Sequence, residues 1–411
     1  MAHLQPVKTT SLRIVLVQSP SAADGPVSSA AAPSRADVVV VGGGVIGLST
    51  AWRAAQAGMS VVVADPEPGR GASWVAAGML APVTELHYGE ETLLAANLAA
   101  ARRWDAFAAE LAAAATPIGY HRCGTLLVAA DDGDRAWAHE LFDFERTLGL
   151  EVEWLTGRQA RHMEPALAPG VRAALWAPGD HQVDNRLLLG ALLVAARAAG
   201  VVVVPEAVQT VEVTAGSASG VRLSSGAEIG TPAVVLAAGC RSGLVGGLPE
   251  SVLPAVRPVK GQILRLRPRV GGPSLGRSVR AVVEGSSVYL VPRQDGSLVV
   301  GATVEEQGFD TMVTAGAVYE LLRDARAVVP GVSELTLDEA IAGLRPGSPD
   351  NGPVVGTHDA VAGLVVATGH YRNGILLAPL TADSAVAALA GREPPPELLP
   401  FGPARFASVP H

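Results

Sequence analysis

The chain has 411 residues, of which 49% are hydrophobic and only 4% aromatic. Its core must therefore consist mainly of alanine, valine and leucine, as in α/β proteins with buried parallel strands, and its length suits two domains better than one. The net charge of −8 argues against a nucleic-acid partner, because phosphate binding requires clustered lysine and arginine.

The cysteine usage and two apolar stretches bear on location. Cys123 and Cys240 belong to no metal or disulfide motif, so we predict no metal site and a reducing, cytoplasmic location. Residues 1–36 contain an apolar piece too short for the core of a signal peptide, and they predict a disordered leader or a start codon placed too far upstream. Residues 187–204 are nearly all apolar, but an arginine and a glycine interrupt them. They predict an amphipathic helix and a buried strand, and we predict no contact with a membrane.

Residues 37–65 predict a strand–helix–strand unit. The run 38–41 is β-branched throughout and too short for a helix, so it predicts a buried strand. A helical pattern then continues to Gly58, which suits a left-handed helix end. A second strand ends at Asp65, where a carboxylate can accept hydrogen bonds from a ribose.

The turn between the first strand and the helix has the pattern G-x-G-x-x-G. In a dinucleotide-binding unit Gly42 makes the tight turn, and Gly44 lets the backbone approach a pyrophosphate. Gly47 lets the helix pack closely on the strand, and the helix N-terminus offers free N–H groups to the phosphates. The sequence therefore predicts a dinucleotide site here.

The middle of the chain supplies further elements. Residues 72–80 are mostly small, as a backbone pressed against a ligand requires. Residues 92–115 predict one helix, and residues 185–199 predict another with Asp184 as its N-cap. Residues 256–301 predict short, mostly antiparallel strands that suit a sheet covering a substrate.

The C-terminal part predicts a second strand–turn–helix unit. A strand at 363–368 leads into a glycine-rich turn at 369–374 and a helix at 375–390. The nucleotide domain is therefore predicted to come from both ends of the chain. The predicted division is a nucleotide-binding domain (37–112, 180–252 and 340–394), an inserted substrate domain (113–179 and 253–339) and a C-terminal tail (395–411).

Five segments in this order resemble the FAD-dependent D-amino-acid-oxidase superfamily. They are SWVAAGML (73–80), RPVKGQIL (257–264), YLVPR (289–293) followed by VVGAT (299–303), AGLRPGSPD (342–350) and GHYRNGILLAP (369–379). The resemblance implies an α/β fold: a Rossmann-type, glutathione-reductase-like FAD-binding domain with an inserted, largely antiparallel α+β substrate domain. It also implies a cytoplasmic homo-oligomer, a tetramer in related enzymes.

The likeness is greatest to members that oxidise glycine. It implies oxidative deamination of glycine, sarcosine or small D-amino acids to an imine or α-keto acid, ammonia and hydrogen peroxide. Hydride would pass to N5 of a non-covalently bound FAD, O2 would reoxidise the flavin, and the imine would supply thiazole synthesis for thiamine.

The resemblance assigns roles to individual residues. Arg345 matches the arginine that grips the substrate carboxylate, which suits a planar, permanently charged guanidinium. Tyr289 matches a tyrosine that reaches the same carboxylate, and Arg372 lies in the turn that closes over the flavin and the substrate amine. With Gly42, Gly44, Gly47 and Asp65, the residues implied to bind FAD are Val45, Ile46, Ala72, Ser73, Ala77, Gly78, Met79, Val208, His370, Tyr371, Arg372, Asn373, Gly374, Ile375 and Leu376.

Three alternatives remain open from the sequence. The first is a D-amino-acid dehydrogenase that passes electrons to quinone. The second is a sarcosine-oxidase-like enzyme with covalent flavin, for which His370 is the nearest candidate. The third is a flavin-binding module without turnover. Ser287 and Val304 are small where relatives can carry bulkier side chains, so the pocket is predicted to be wider or differently shaped than in a glycine-only enzyme.

Overall fold

The computed structural model describes residues 32–269 and 274–406. Most of the predicted leader and the end of the predicted tail lie outside these residues. Arg35 already forms a β-bridge with Gly230, so the folded part of the chain begins before the predicted end of the leader at residue 36.

The described residues form nine α-helices and nineteen strands, and most of the strands belong to two large sheets. The α-helices are α1 (Val45–Gln56), α2 (Ala72–Val75), α3 (Glu91–Ala101), α4 (Trp104–Ala114), α5 (Asp132–Thr147), α6 (Gly157–Met163), α7 (Asn185–Ala198), α8 (Ala315–Val328) and α9 (Gly374–Leu389). The strands are β1 (Val38–Val41), β2 (Val61–Ala64), β3 (Met79–Leu80), β4 (Thr125–Ala129), β5 (Glu153–Thr156), β6 (Ala173–Ala177), β7 (His181–Gln182), β8 (Val202–Val204), β9 (Val208–Thr214), β10 (Ser217–Leu223), β11 (Glu228–Gly230), β12 (Val234–Leu236), β13 (Arg257–Arg267), β14 (Ser278–Val283), β15 (Ser286–Pro292), β16 (Leu298–Gly301), β17 (Thr336–Gly347), β18 (Val354–His358) and β19 (Val361–Thr368).

The first sheet is organised around β1. Its strand order is β11-β10-β19-β12-β1-β2-β8, with β18 beside β19 and β9 beside β10. The run from β19 to β8 is parallel throughout. Both faces of β1 are buried: Val38 and Val40 join one core cluster, whereas Val39 and Val41 join another. An all-valine strand is therefore suited to the centre of a parallel sheet.

The second sheet has the order β17-β13-β16-β15-β14-β4-β6-β5. Its pairs are antiparallel except for β14 and β4. The predicted α/β fold with a largely antiparallel second layer is thus present. The division into domains stays a prediction, and its boundary at residue 340 falls inside β17, which belongs to the second sheet along its length.

The local predictions around α1 and α7 are confirmed. Gly58 follows α1 with φ +89°, and Asp184 caps α7 by accepting from the backbone N–H groups of Arg186 and Leu187. No helix in the described part of the chain is both long and apolar enough to cross a bilayer.

The predicted single helix over 92–115 is wrong. The structure has two helices, α3 and α4, that meet at Arg102 and Arg103. The indole N–H of Trp104, which is buried, donates to the carbonyl of Leu376 at 2.9 Å. This contact with α9 sets where α4 begins, although an alanine-rich sequence favours one continuous helix.

Glu145 on α5 is a buried acid whose two carboxylate oxygens find no hydrogen-bond partner among the described residues. Burial raises its pKa to about 8, and the nearby Asp180 adds to the shift. The folded state therefore keeps this proton up to higher pH than the unfolded chain does. The contribution of Glu145 to stability is full below its ordinary pKa and is lost as pH rises through the folded value.

We expect Glu145→Gln to remove that loss. The unfolding free energy of the variant minus that of the parent protein should rise by on the order of 3 kcal/mol from pH 5 to pH 9. Asp180 titrates in both proteins, so its effect largely cancels in the difference. Thermal unfolding at the two pH values tests this, and an identical pH dependence for both proteins would contradict it.

Candidate functional site

A single large cavity of about 1040 Å³ collects the predicted flavin and substrate residues. Its wall includes the turn before α1, the small-residue segment around α2, the turn before α9, and facing parts of β13, β15 and β17. All the predicted site residues line it except Gly47 and Leu376, which lie behind the wall.

The turn before α1 has the geometry that its glycines require. Gly42 has φ +106°, and a Cβ on Gly47 would overlap the carbonyl oxygen of Gly42. A Cβ on Gly44 would meet only the hydroxyl of Ser73, at 3.4 Å. The backbone at Gly44 is therefore open toward the cavity; Gly44 itself supplies no cap to α1, and the N–H of Val45 donates to the Ser73 hydroxyl at 3.1 Å.

Asp65 supports this turn from the end of β2. Its Oδ2 accepts from the backbone N–H of Gly43 at 2.6 Å, and its Oδ1 accepts from that of Glu67 at 2.8 Å. The carboxylate also lines the cavity. Its predicted contact with a ribose stays a prediction, but it has a second task in holding the glycine turn.

A second helix N-terminus reaches the cavity at α9. Its N-cap, Asn373, makes no side-chain cap, and Gly374 lines the wall. Nearby, burial lowers the pKa of His370 to about 3, so this imidazole is neutral. Its Nε2 lies 2.9 Å from the hydroxyl of Thr381 on α9. The positive ends of two helix dipoles thus face one cavity, an arrangement that favours anionic groups.

Arg345 on β17 lies flat over β13. A Cβ at Gly261 would overlap its guanidinium, so only glycine admits the side chain at this place. Nη1 donates to the carbonyl of Thr303 at 3.1 Å and weakly to that of Lys260 at 3.4 Å. Among the described residues no carboxylate forms an ion pair with it, so the rest of its fork can bind an anionic ligand.

Tyr289 on β15 lies over β16 in the same way, because a Cβ at Gly301 would meet its ring and hydroxyl at 2.5 Å. Burial raises the pKa of the phenol, and the charge of Arg345 only partly opposes this effect. Tyr289 is therefore a neutral hydroxyl that can donate to a carboxylate beside Arg345.

Arg372 is already paired. Its Nη2 lies 2.7 Å from Glu90, and its Nε lies 3.7 Å from Glu85. Glu85 also pairs with Arg280, the residue opposite Tyr289 in the β14–β15 register. Burial lowers the pKa of Arg280 to about 10, with Arg372 adding to the effect, so it stays charged.

Sequence reasoning missed Glu85, Arg280 and the two glycines beneath Arg345 and Tyr289. Gly261 lies inside the quoted segment RPVKGQIL, and Gly301 lies inside VVGAT. A glycine in the interior of a strand often marks a close approach, and this signal was available. Nothing local in the sequence indicates that Glu85 and Arg280 meet across 195 residues.

The cavity fits FAD on the evidence of its own residues. The glycine turn leaves open backbone for a pyrophosphate, two helix N-termini whose own N-cap residues make no side-chain cap face inward, and the volume suits a large cofactor. In the described part of the chain no cluster of histidine, cysteine and acidic residues could hold a metal ion.

The comparisons with known proteins agree with this site. The family model DAO, described as FAD dependent oxidoreductase, matches residues 37–389. The glycine oxidase of Geobacillus kaustophilus is 34% identical over 370 residues, 89% of this chain and 96% of the relative. A crystal structure of glycine oxidase from the same organism matches with a TM-score of 0.83 and 33% identity, covering 91% of this chain and 99% of that one.

Two further relatives differ in what their names describe. The bifunctional protein ThiO/ThiG of a Synechocystis species is 33% identical and covers 92% of this chain, which spans 55% of that protein. The hydrogen cyanide synthase subunit HcnC of Pseudomonas aeruginosa is 29% identical, covering 91% of this chain and 97% of the relative.

The chain therefore belongs to the DAO family of FAD-dependent oxidoreductases. It is an FAD-dependent amino-acid oxidase, which confirms the predicted cofactor, enzyme class and fold class.

We expect Gly47→Ala to abolish stable FAD binding. The new methyl group would overlap the carbonyl of Gly42, so the helix and the turn must separate. The dissociation constant for FAD should rise by about 100-fold or more. Gly190→Ala is the matched control, since its Cβ meets nothing within 4 Å. Flavin content after purification tests this, and normal content in the Gly47 variant would contradict it.

Proposed function

We propose that this enzyme oxidises glycine, and also sarcosine or small D-amino acids, to the imine, with O2 as the electron acceptor. The observation that carries the proposal is the guanidinium of Arg345, which has no acidic partner among the described residues and lies in the FAD cavity near the neutral phenol of Tyr289. Such a pair suits one small carboxylate.

FAD supplies the hydride acceptor when it is bound. The task of the protein is then to hold the amino acid by its carboxylate, with Arg345 as a bidentate donor and Tyr289 as a second donor, so that the α-carbon is oriented for the transfer. Water would convert the released imine to an α-keto acid (glyoxylate from glycine) and ammonia, or to glyoxylate and methylamine when the substrate is sarcosine, and O2 would be reduced to hydrogen peroxide.

The size of the substrate depends on the other residues that line the cavity with this pair. Ser287 and Val304 both line the cavity, and Val304 is 66% exposed. Neither side chain is bulky, which supports acceptance of N-methyl or small Cα substituents alongside glycine.

The fate of the product is a further part of the proposal. The relative named ThiO/ThiG and the likeness to glycine-oxidising enzymes support a role in supplying the imine for thiazole synthesis. The likeness to HcnC supports one alternative product, cyanide. A homo-oligomer and a cytoplasmic location are also proposed, and light scattering of the purified protein tests the first of these.

The experiment is a substrate panel on the purified holoenzyme. Peroxide, ammonia and cyanide are measured with glycine, sarcosine and D-alanine, beside reduction of an artificial acceptor without O2. Peroxide formation from glycine supports the oxidase. Turnover with the artificial acceptor alone would favour a dehydrogenase, and turnover with none of the three would remove the proposal.

Non-covalent FAD is a separate prediction. The Nε2 of His370 is engaged by Thr381 and the ring is buried, so the histidine considered for covalent attachment already has a partner. Acid precipitation should release all the flavin into the supernatant. Yellow colour that stays with the pellet would contradict this.

A further inference from the structure

Residues 180–185 run antiparallel beside residues 73–84, here called the cavity segment, which include several of the predicted flavin contacts. Gln182 pairs with Met79, and His181 pairs with Leu80. At one end of this contact the side-chain amide of Asn185 donates to the carbonyls of Ser73 and Trp74, each at 2.8 Å. The sequence PGDHQVDN, which the proposed reaction does not use, therefore holds one wall of the cavity.

Asp180 forms the other end of this contact. It is 0% exposed, and its carboxylate accepts three hydrogen bonds from the cavity segment. The N–H of Val83 donates at 3.1 Å, and the N–H and hydroxyl of Thr84 both donate at 2.7 Å. Burying a carboxylate is costly unless it is well bonded, so these three bonds tie the segment to the turn after β6.

The next residue along the chain is Glu85. Its carboxylate pairs with Arg280 through one oxygen and lies 3.7 Å from Arg372 through the other. All three side chains line the cavity, and Arg280 is the register partner of Tyr289. If Glu85 moved, the largely buried guanidinium of Arg280 would lose its acidic partner, which is strongly unfavourable, whereas Arg372 would keep Glu90.

We propose that Asp180 is a positioning residue for the substrate pocket: by fixing Val83 and Thr84 it places Glu85, which holds Arg280 and Arg372 against the cavity wall beside Tyr289. Asp180 does not line the cavity and acts only through Glu85. The inference rests on the proposed function for its consequence on substrate binding, but the contact itself does not depend on that function.

The test compares Asp180→Asn and Thr84→Val with a matched control, Glu145→Gln. The asparagine keeps the shape but turns an acceptor into a donor that faces N–H groups. The valine replaces the Thr84 hydroxyl with a methyl group and so removes one of the three hydrogen bonds. Glu145 is a buried acid near Asp180 that makes no hydrogen bond to the cavity segment, so its variant shows what a change at a neighbouring buried carboxyl does when no bond to that segment is lost.

Three quantities are measured on the FAD-loaded proteins at pH 7. They are hydrogen exchange at the amides of Val83 and Thr84, the dissociation constant of acetate from its effect on the flavin spectrum, and KM and kcat for glycine. In Asp180→Asn we expect faster exchange and a rise of about ten-fold in both the acetate constant and KM, with flavin retained and kcat within about three-fold. Thr84→Val should show a smaller rise, and Glu145→Gln should match the parent.

Unchanged acetate binding and KM in Asp180→Asn would overturn the inference, as would equal changes in Asp180→Asn and Glu145→Gln. If Asp180→Asn does not fold, an unchanged acetate constant in Thr84→Val overturns it. If the parent oxidises none of the amino acids, the proposed function fails, whereas exchange and acetate binding still decide the role of Asp180.

Discussion

Replacing Arg345 with alanine is expected to lower kcat/KM for glycine by about 1,000-fold while FAD stays bound. The guanidinium lies in the cavity without an acidic partner among the described residues, and its backbone acceptors are Lys260 on β13 and Thr303 just after β16. Its loss therefore removes the carboxylate site and leaves the glycine turn of the first sheet unchanged.

Arg345→Lys is the matched variant for this prediction. Lysine keeps the charge but has no planar fork, so it should recover only part of the lost kcat/KM, mostly as a lower KM than in the alanine variant. Steady-state kinetics and the flavin spectrum of both proteins test this. Loss of FAD from the alanine variant, or full activity in it, would count against the assigned role.

Gly261→Ala is expected to raise KM for glycine by about 10- to 100-fold with little effect on stability. The added methyl group would overlap only the guanidinium of Arg345 among its nearest neighbours. Because that group is the end of a flexible side chain, the fold can keep its shape while the carboxylate site is displaced.

The control for this variant is Gly316→Ala on α8, where a Cβ meets nothing within 4 Å. Thermal unfolding and steady-state kinetics are measured for both proteins. A large fall in melting temperature without a change in KM would show that Gly261 serves the sheet and not Arg345.

Patterns within a few neighbouring residues predicted those parts of the fold that depend on contacts between neighbours in the chain. The valines of β1, the turn before α1 and the cap at Asp184 each follow from a few neighbouring residues, and the structure has all three. The break between α3 and α4 could not be predicted, because it depends on the bond between Trp104 and Leu376 on a distant helix.

The residues of the candidate site also fall into two groups, those that the sequence predicted and those whose contacts join distant parts of the chain. Arg345 and Tyr289 were identified through segments that resemble a known family, and the structure brings both to one cavity. The pairing of Glu85 with Arg280, and the anchor at Asp180 behind it, join residues far apart in the chain. Such contacts arise only in the complete tertiary fold, so neither periodicity nor motif spacing in the sequence could predict them.

The most direct test of the account is to mix the FAD-loaded enzyme with glycine in the absence of O2 and record the visible spectrum. Loss of the oxidised flavin bands, and their return when O2 is admitted with formation of hydrogen peroxide, is the predicted result. Flavin that stays oxidised with glycine, sarcosine and D-alanine alike would contradict the account.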